Sequence, residues 1–129
     1  MKEHSKKAAE LFAQGYNCAQ AVFVAFCDVT GLSEEKALKL SASFGGGMGK
    51  AGEVCGAVSS CIMVLGDKCA PDDPRDAELK QEFYKKVKQI LDEFAAVEGT
   101  YICRELTAVD KSGCEGYVKT AADILEKYL

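Results

Sequence analysis

Apolar residues recur at helical spacing along most of the chain, and no segment shows a convincing strict alternation of apolar and polar residues. This pattern predicts helices and no sheet. The predicted helices cover residues 3–14, 18–29, 33–42 and 53–66, an apolar stripe from Leu79 to Phe94, and a last stripe of Tyr117, Val118, Ala121, Leu125 and Tyr128. We therefore expect a single all-α domain over residues 1–129, a compact bundle of about five to six helices.

Residues that are typical of helix starts and helix ends lie between the predicted helices. Asn17 is a typical N-terminal cap, because its side-chain oxygen can accept a hydrogen bond from a free backbone N–H of the first turn. Asp73 followed by Pro74 is predicted to begin the long helix, since a proline in the first turn sacrifices no helical hydrogen bond. Gly31 and Gly99 are natural C-terminal stops.

Composition narrows the classes of function. The chain has 129 residues, of which 48% are hydrophobic and 28% charged, and its net charge is −4. A folded domain is expected, and the lack of a basic excess argues against nucleic acid or an anionic membrane as a partner. The uncharged stretches 11–27 and 54–66 are too polar or too short to span a bilayer. They favour two apolar helices at the centre of the bundle.

Cysteine is the unusual component. The chain has seven cysteines, an odd number that cannot all pair within one molecule. The opening residues, MKEHSKKAAELF, lack the apolar stretch and cleavage site of a signal peptide. We therefore expect a cytoplasmic protein, in which clustered cysteines usually bind metals or take part in redox chemistry.

Four cysteines follow helix-start signals. Cys18 follows Asn17 directly, Cys55 follows a glycine-rich loop, and Cys103 and Cys114 come shortly after Thr100 and Ser112, respectively. Free N–H groups and the positive end of the helix dipole meet in the first turn, so thiolates are stabilised there. Helical angles place Cys55 and Cys114 on inward faces. We expect these four to be functional, Cys27 and Cys61 to fill the core, and Cys69 to be exposed in a polar loop.

The segment Phe44–Gly52 has five glycines among nine residues and is expected to be a loop. Gly47, Gly49 and Gly52 fit a GxGxxG pattern, but the loop follows a helix rather than a strand, so a dinucleotide site is not favoured. Such a loop could offer N–H groups to an anion or to a sulfur near Cys55, with Lys50 adding positive charge. The alternative is a flexible connector with a solvated lysine. His4 is expected at the surface.

The cysteine-bearing segments resemble a known family. GYNCAQAV, then VCGAVSS after a glycine-rich loop, then Cys103 and Cys114, are similar to the C_GCAxxG_C_C family, to which redox activity is ascribed. The resemblance runs from Gly15 to Cys114, and Cys18, Cys55, Cys103 and Cys114 match the four family cysteines. Ser60 stands where the family pattern has glycine, which predicts looser helix packing there. Similar domains occur beside haem, but this chain has no CxxCH motif for covalent attachment.

Three hypotheses follow, in order of preference. The first is thiol redox chemistry with Cys18 and Cys55 as the working pair, and with Cys103 and Cys114 as a second pair or a resolving set. Its partner would be a redox protein or a small thiol or oxidant. The second is a zinc or iron–sulfur site with these four cysteines as ligands. The third is a non-catalytic helical interaction module. A homodimer is compatible with all three.

Overall fold

Residues 3–110 and 112–129, which the computed structural model describes, form helices and no named strand. The helices are α1 (Glu3–Ala13), α2 (Cys18–Ala25), α3 (Cys27–Thr30), α4 (Glu34–Ala42), α5 (Gly56–Cys69), α6 (Ala77–Glu98), α7 (Cys103–Val109) and α8 (Gly113–Glu126). The all-α prediction is confirmed, and the count of five to six is too low for the described residues. The predicted helix 18–29 breaks at Phe26, where the backbone leaves helical geometry (φ −104°, ψ 21°).

Side-chain caps explain the starts of three helices, α2, α4 and α6. Asn17 forms a capping box: its side chain accepts from the Gln20 N–H at 2.8 Å, and the Gln20 side chain accepts from the Asn17 N–H at 3.1 Å. The predicted start of the long helix at Pro74 is wrong. Asp73 instead accepts from the Arg75 N–H in a local turn, and Asp76 caps α6 by accepting from the Leu79 N–H at 3.0 Å.

Helices α2 and α5 occupy the centre, as their apolar character predicts. α2 packs against α1, α4, α5 and α8, and most of its residues are buried. Ser60 is fully buried and donates its hydroxyl hydrogen to the Ala19 carbonyl at 2.6 Å. The predicted loosening of the packing at Ser60 is therefore wrong, because this hydrogen bond holds α5 directly against the backbone of α2.

The apolar stripe of α6 is only partly a core element. Ile90 and Phe94, in its C-terminal half, are buried, whereas Leu79 and Tyr84 are 54% and 57% exposed. The N-terminal half of α6 therefore presents apolar side chains to solvent. No helix among residues 3–110 and 112–129 is long and apolar enough to cross a membrane.

His4 is not the free surface residue that its position near the start of the chain suggests. Its ring stacks on Phe26, with centroids 4.1 Å apart and planes 5° apart. Its Nδ1 lies 2.7 Å from a Glu126 carboxylate oxygen, and its Nε2 lies 3.0 Å from Asp28. His4 thus links α1 to α3 and α8.

Candidate functional site

Two helix N-termini bring Cys18 and Cys55 into direct contact. Cys18 is the first residue of α2, and Cys55 is the N-terminal cap residue of α5. The Cys55 thiol donates a hydrogen bond to the Cys18 sulfur. The contact brings together residues that are separated by most of α2, α3, α4 and the glycine-rich loop, and it depends on the packing of α2 against α5.

The environment of Cys18 favours its thiolate. The hydrogen bond from Cys55 is the largest influence, and backbone N–H groups of Gly46, Ala57 and Ala19 also face the Cys18 sulfur. Burial opposes ionisation, but these donors outweigh it and lower the pKa of Cys18 to about 6. At neutral pH, Cys18 therefore carries a negative charge, and the thiolate is the nucleophilic form of cysteine.

Cys55 has the opposite character. Its side chain is a hydrogen-bond donor to the Cys18 thiolate, and donation requires that it keep its proton. This bond, burial and the negative charge of Cys18 together raise the pKa of Cys55, against smaller effects of the Val58 and Ala57 N–H groups. Cys55 is only 4% exposed, whereas Cys18 is partly exposed. The pair thus holds one proton, on the Cys55 sulfur, and one negative charge, on the Cys18 sulfur.

A short antiparallel ribbon places Cys103 beside Cys55. Val54 and Ile102 form an isolated β-bridge. The Cys55 N–H donates to the Tyr101 carbonyl at 2.8 Å, and the Cys103 N–H donates to the Glu53 carbonyl at 2.6 Å. Residues 55 and 103 each follow a bridge residue, so their side chains leave the same face of the ribbon as diagonal neighbours, about 7–8 Å apart in such pairs.

Cys103 and Cys114 complete the group at longer range. The negative charge of Cys18 contributes to raising the pKa of both, after the larger effect of burial, so both lie within its electrostatic reach. Both begin helices as predicted, but neither has the lowered pKa expected there, because burial and the nearby thiolate outweigh the helix-end donors. Cys114 is exposed, so its predicted place on an inward face, where it could have met Cys55, is wrong.

The glycine-rich loop contributes backbone to this site. Five successive residues, 46–50, have positive φ angles between 59° and 70°, and they include two non-glycine residues, Met48 and Lys50. Such strain is concentrated at functional sites in proteins. The loop N–H that reaches the Cys18 sulfur belongs to Gly46, which the sequence analysis did not single out.

The four loop residues predicted to offer N–H groups or positive charge to an anion or a sulfur make other contacts in the structure. Gly47 is buried against Cys103, and the Gly52 carbonyl accepts from Arg104 Nη1 at 3.3 Å. Gly49 and Lys50 are exposed, and their N–H groups donate within the loop to the Ser43 and Gly45 carbonyls. Their predicted binding role remains untested.

We predict that Gly47→Ala disturbs Cys103 whereas Gly49→Ala does not. Both glycines have positive φ, so each alanine costs about 1–2 kcal/mol of folding free energy. A Cβ at Gly47 would also lie 2.7 Å from the Cys103 Cβ and from the Glu53 N, whereas at Gly49 its nearest neighbour lies 3.9 Å away. In chemical denaturation we expect Gly47→Ala to lower the free energy of unfolding by about 1–3 kcal/mol more than Gly49→Ala does. We also expect Gly47→Ala to change the alkylation rate of Cys103. Equal losses in the two variants would contradict this geometry.

The four cysteines do not form a ready-made metal centre. Within the described ranges, 3–110 and 112–129, no group of three or more histidine, cysteine, aspartate or glutamate residues is placed to hold a metal ion. The arrangement of Cys18, Cys55, Cys103 and Cys114 therefore differs from the tetrahedral set in the second hypothesis.

The remaining cysteines lie outside the site. Cys61 fills the core as predicted: it is fully buried and donates to the Ala121 carbonyl at 3.1 Å, and burial raises its pKa. Cys27 is partly buried against the core. Cys69 is the last residue of α5 and also packs partly against the core, so its expected place in an exposed loop is wrong.

Gly56 is a second site residue, after Gly46, that the sequence patterns did not predict. A Cβ at this position would lie 2.7 Å from the Phe44 carbonyl and 3.0 Å from the Cys18 sulfur and the Ala19 Cβ. Only glycine allows α5 to approach α2 this closely. A signal was present, because this glycine directly follows Cys55 at the start of an apolar helix.

Fold and site together define an all-helical protein with a thiol–thiolate pair at two converging helix N-termini. Its sequence matches a family profile over residues 16–128, under the description "Putative redox-active protein (C_GCAxxG_C_C)". The chain belongs to this family, as its cysteine-bearing segments predict. Neither the curated proteins nor the solved structures contain a significant match.

Proposed function

We propose that this protein carries out thiol–disulfide exchange, with Cys18 as the nucleophile and Cys55 as the resolving thiol. The hydrogen bond from the Cys55 thiol to the Cys18 thiolate is the observation that supports this assignment most strongly. It places two sulfurs of opposite protonation state in contact. Such a pair is suited to reversible two-electron oxidation.

The exchange proceeds in two steps. The Cys18 thiolate attacks one sulfur of a substrate disulfide, a Cys18–substrate bond forms, and the other substrate sulfur leaves as a thiolate. Cys55 then attacks the Cys18 sulfur, the Cys18–Cys55 bond forms, and the second substrate sulfur leaves. One disulfide is consumed and one is made. The single proton of the pair, on Cys55, passes to one departing substrate thiolate, and the other substrate sulfur leaves as a thiolate that takes its proton from water.

The contacts between Cys18 and Cys55 also delay the attack by Cys55 until Cys18 has reacted. While Cys18 is a thiolate, the hydrogen bond to it and then its charge raise the pKa of Cys55 and keep that thiol protonated. Formation of the Cys18–substrate bond removes this charge and the hydrogen bond that depends on it. The pKa of Cys55 then falls, so the departing substrate thiolate can take its proton. Partial exposure of Cys18 and burial of Cys55 fit the order of attack.

The test is oxidation of the fully reduced protein by one equivalent of oxidised glutathione, followed by acid quenching and peptide mapping. In the samples quenched earliest we expect a Cys18–Cys55 bond and a mass loss of two hydrogens. Cys55→Ser is expected to stop at a glutathione adduct on Cys18, because the resolving thiol is absent. Cys61→Ala, which removes a buried thiol elsewhere in α5, is the control and should behave as wild type.

The proposal fails if reduced, folded wild-type protein yields no Cys18–Cys55 bond at any glutathione ratio. It also fails if Cys55→Ser resolves its adduct as fast as wild type does. Far-ultraviolet circular dichroism of each variant separates loss of chemistry from loss of the helical fold.

A further inference from the structure

The cysteines around the site differ in exposure, from the interior to the surface. Cys55 is buried, Cys103 is partly buried and Cys114 is exposed. The bridge between Val54 and Ile102 fixes Cys55 and Cys103 on one face of the ribbon, and its two flanking hydrogen bonds, at 2.8 and 2.6 Å, hold this register. Cys103 is thus a neighbour of the resolving thiol, and Cys114 is the most exposed of the four site cysteines.

We propose that Cys103 and Cys114 are a second dithiol, which receives the disulfide from Cys18 and Cys55 and presents it to a thiol-bearing partner at the surface. This inference rests on the proposed function and extends it by an internal transfer. The partner is a protein or small molecule with a free thiol that meets Cys114 first.

The transfer balances without any outside reagent. The Cys103 thiolate attacks the Cys55 sulfur of the Cys18–Cys55 disulfide, a Cys55–Cys103 bond forms, and Cys18 leaves as a thiolate. Cys114 then attacks the Cys103 sulfur, the Cys103–Cys114 bond forms, and Cys55 leaves and regains a proton. Two thiols and one disulfide are present before and after. The second attack requires Cys114, in the first turn of α8, to approach Cys103, the first residue of α7, and these two helices pack against each other.

The chemistry of the four sulfurs gives the transfer a direction. Thiols that are stable as thiolates are good leaving groups, and a pair whose reduced form is stabilised makes an oxidising disulfide. Hydrogen bonds to the Cys18 thiolate stabilise the reduced form of the inner pair, whereas the pKa values of Cys103 and Cys114 are raised, chiefly by burial. The disulfide therefore passes outward, from Cys18 and Cys55 to Cys103 and Cys114.

Peptide mapping can follow this transfer, because tryptic cleavage places Cys18, Cys55, Cys103 and Cys114 in four different peptides. The reduced protein receives half an equivalent of diamide, which takes two hydrogens per molecule and leaves a disulfide. Samples are then alkylated at successive times. We expect the Cys18–Cys55 link first, followed by growth of the Cys103–Cys114 link at its expense.

Cys114→Ser provides the sharper test. Without the final attacking thiol, the Cys55–Cys103 intermediate is expected to accumulate to severalfold above its wild-type level. Cys114 is exposed, so this substitution should leave the fold intact. Cys69→Ser, at the far end of α5, is the matched control and should transfer the disulfide as wild type does.

The outcomes separate the two proposals. If the Cys18–Cys55 link forms but never gives way to Cys103–Cys114, and if Cys114→Ser traps no Cys55–Cys103 link, the second dithiol is refuted and the proposed function stands. If the Cys18–Cys55 link does not form at all, both are refuted.

Discussion

Replacing Cys55 with alanine is expected to raise the pKa of Cys18 from about 6 towards its ordinary value near 9. The hydrogen bond from Cys55 is the largest of the influences that stabilise the Cys18 thiolate, and alanine removes it without supplying another donor. The backbone N–H groups of Gly46, Ala57 and Ala19 remain, so part of the lowering should persist. We expect a rise of about one to two pH units, because a single hydrogen bond to a charged group contributes about 1.5–3 kcal/mol.

The measurement is the rate of iodoacetamide alkylation of the Cys18 peptide as a function of pH. Its midpoint reports the pKa of Cys18. Cys61→Ala, which also removes a buried thiol from α5, is the control and should leave the midpoint near 6. An unchanged midpoint in Cys55→Ala would show that the N–H groups alone stabilise the thiolate.

The stability of the protein provides a second readout of the same pKa. The folded-state pKa of Cys18 lies below its unfolded value, so its contribution to stability is fully present above about 9 and is lost as the pH falls towards about 6. The free energy of unfolding should therefore rise with pH across this window. In Cys55→Ala this rise should be smaller, because the two pKa values of Cys18 then lie closer together.

Local signals in the sequence predicted where the cysteines lie relative to helices. Asn17 caps α2, so Cys18 falls at its first residue. Cys103 and Cys114 also lie in the first turns of helices, although Ile102 rather than Thr100 is the cap residue of α7 and the Ser112 side chain makes no capping hydrogen bond. These signals work because capping and glycine conformation depend on a few adjacent residues. However, a position at a helix N-terminus lowers the pKa of a thiol less than the sequence analysis expected. Among the four cysteines, only Cys18 has a lowered pKa, because it alone combines that position with a donor from another helix.

The features of the site that the sequence did not predict depend on contacts between distant segments of the chain. The ribbon that joins Cys55 to Cys103 consists of a single bridge, Val54 to Ile102, too short to produce an alternating pattern. The exposure of Cys114 depends on how α8 packs, which helical angles alone do not determine. The approach of Gly46 to Cys18 arises from a left-handed turn that glycine content permits but does not specify.

Gly56→Ala is expected to be the most damaging small substitution at the site. Its Cβ would lie 2.7 Å from the Phe44 carbonyl oxygen, a backbone atom that cannot move without shifting the loop, and 3.0 Å from the Cys18 sulfur. Overpacking of this kind costs about 1–3 kcal/mol or more. We expect the free energy of unfolding to fall by about 3 kcal/mol, the upper end of this range. We also expect a raised pKa of Cys18, because α5 must move away and take the Cys55 thiol and the Ala57 N–H with it.

Gly66→Ala is the matched control, since it makes the same change in the same helix. A Cβ there would have the Phe83 ring as its nearest neighbour, at an ordinary contact distance of 3.7 Å, so alanine should stabilise α5 by about 0.5–1 kcal/mol. Urea denaturation and the alkylation midpoint of Cys18 are measured for both variants. The packing of α5 on α2 predicts a lower free energy of unfolding for Gly56→Ala and a higher one for Gly66→Ala. It also predicts that the alkylation midpoint of Cys18 changes only in Gly56→Ala. If Gly56→Ala were as stable as wild type and kept the midpoint near 6, the close approach that forms the thiol–thiolate pair would not exist.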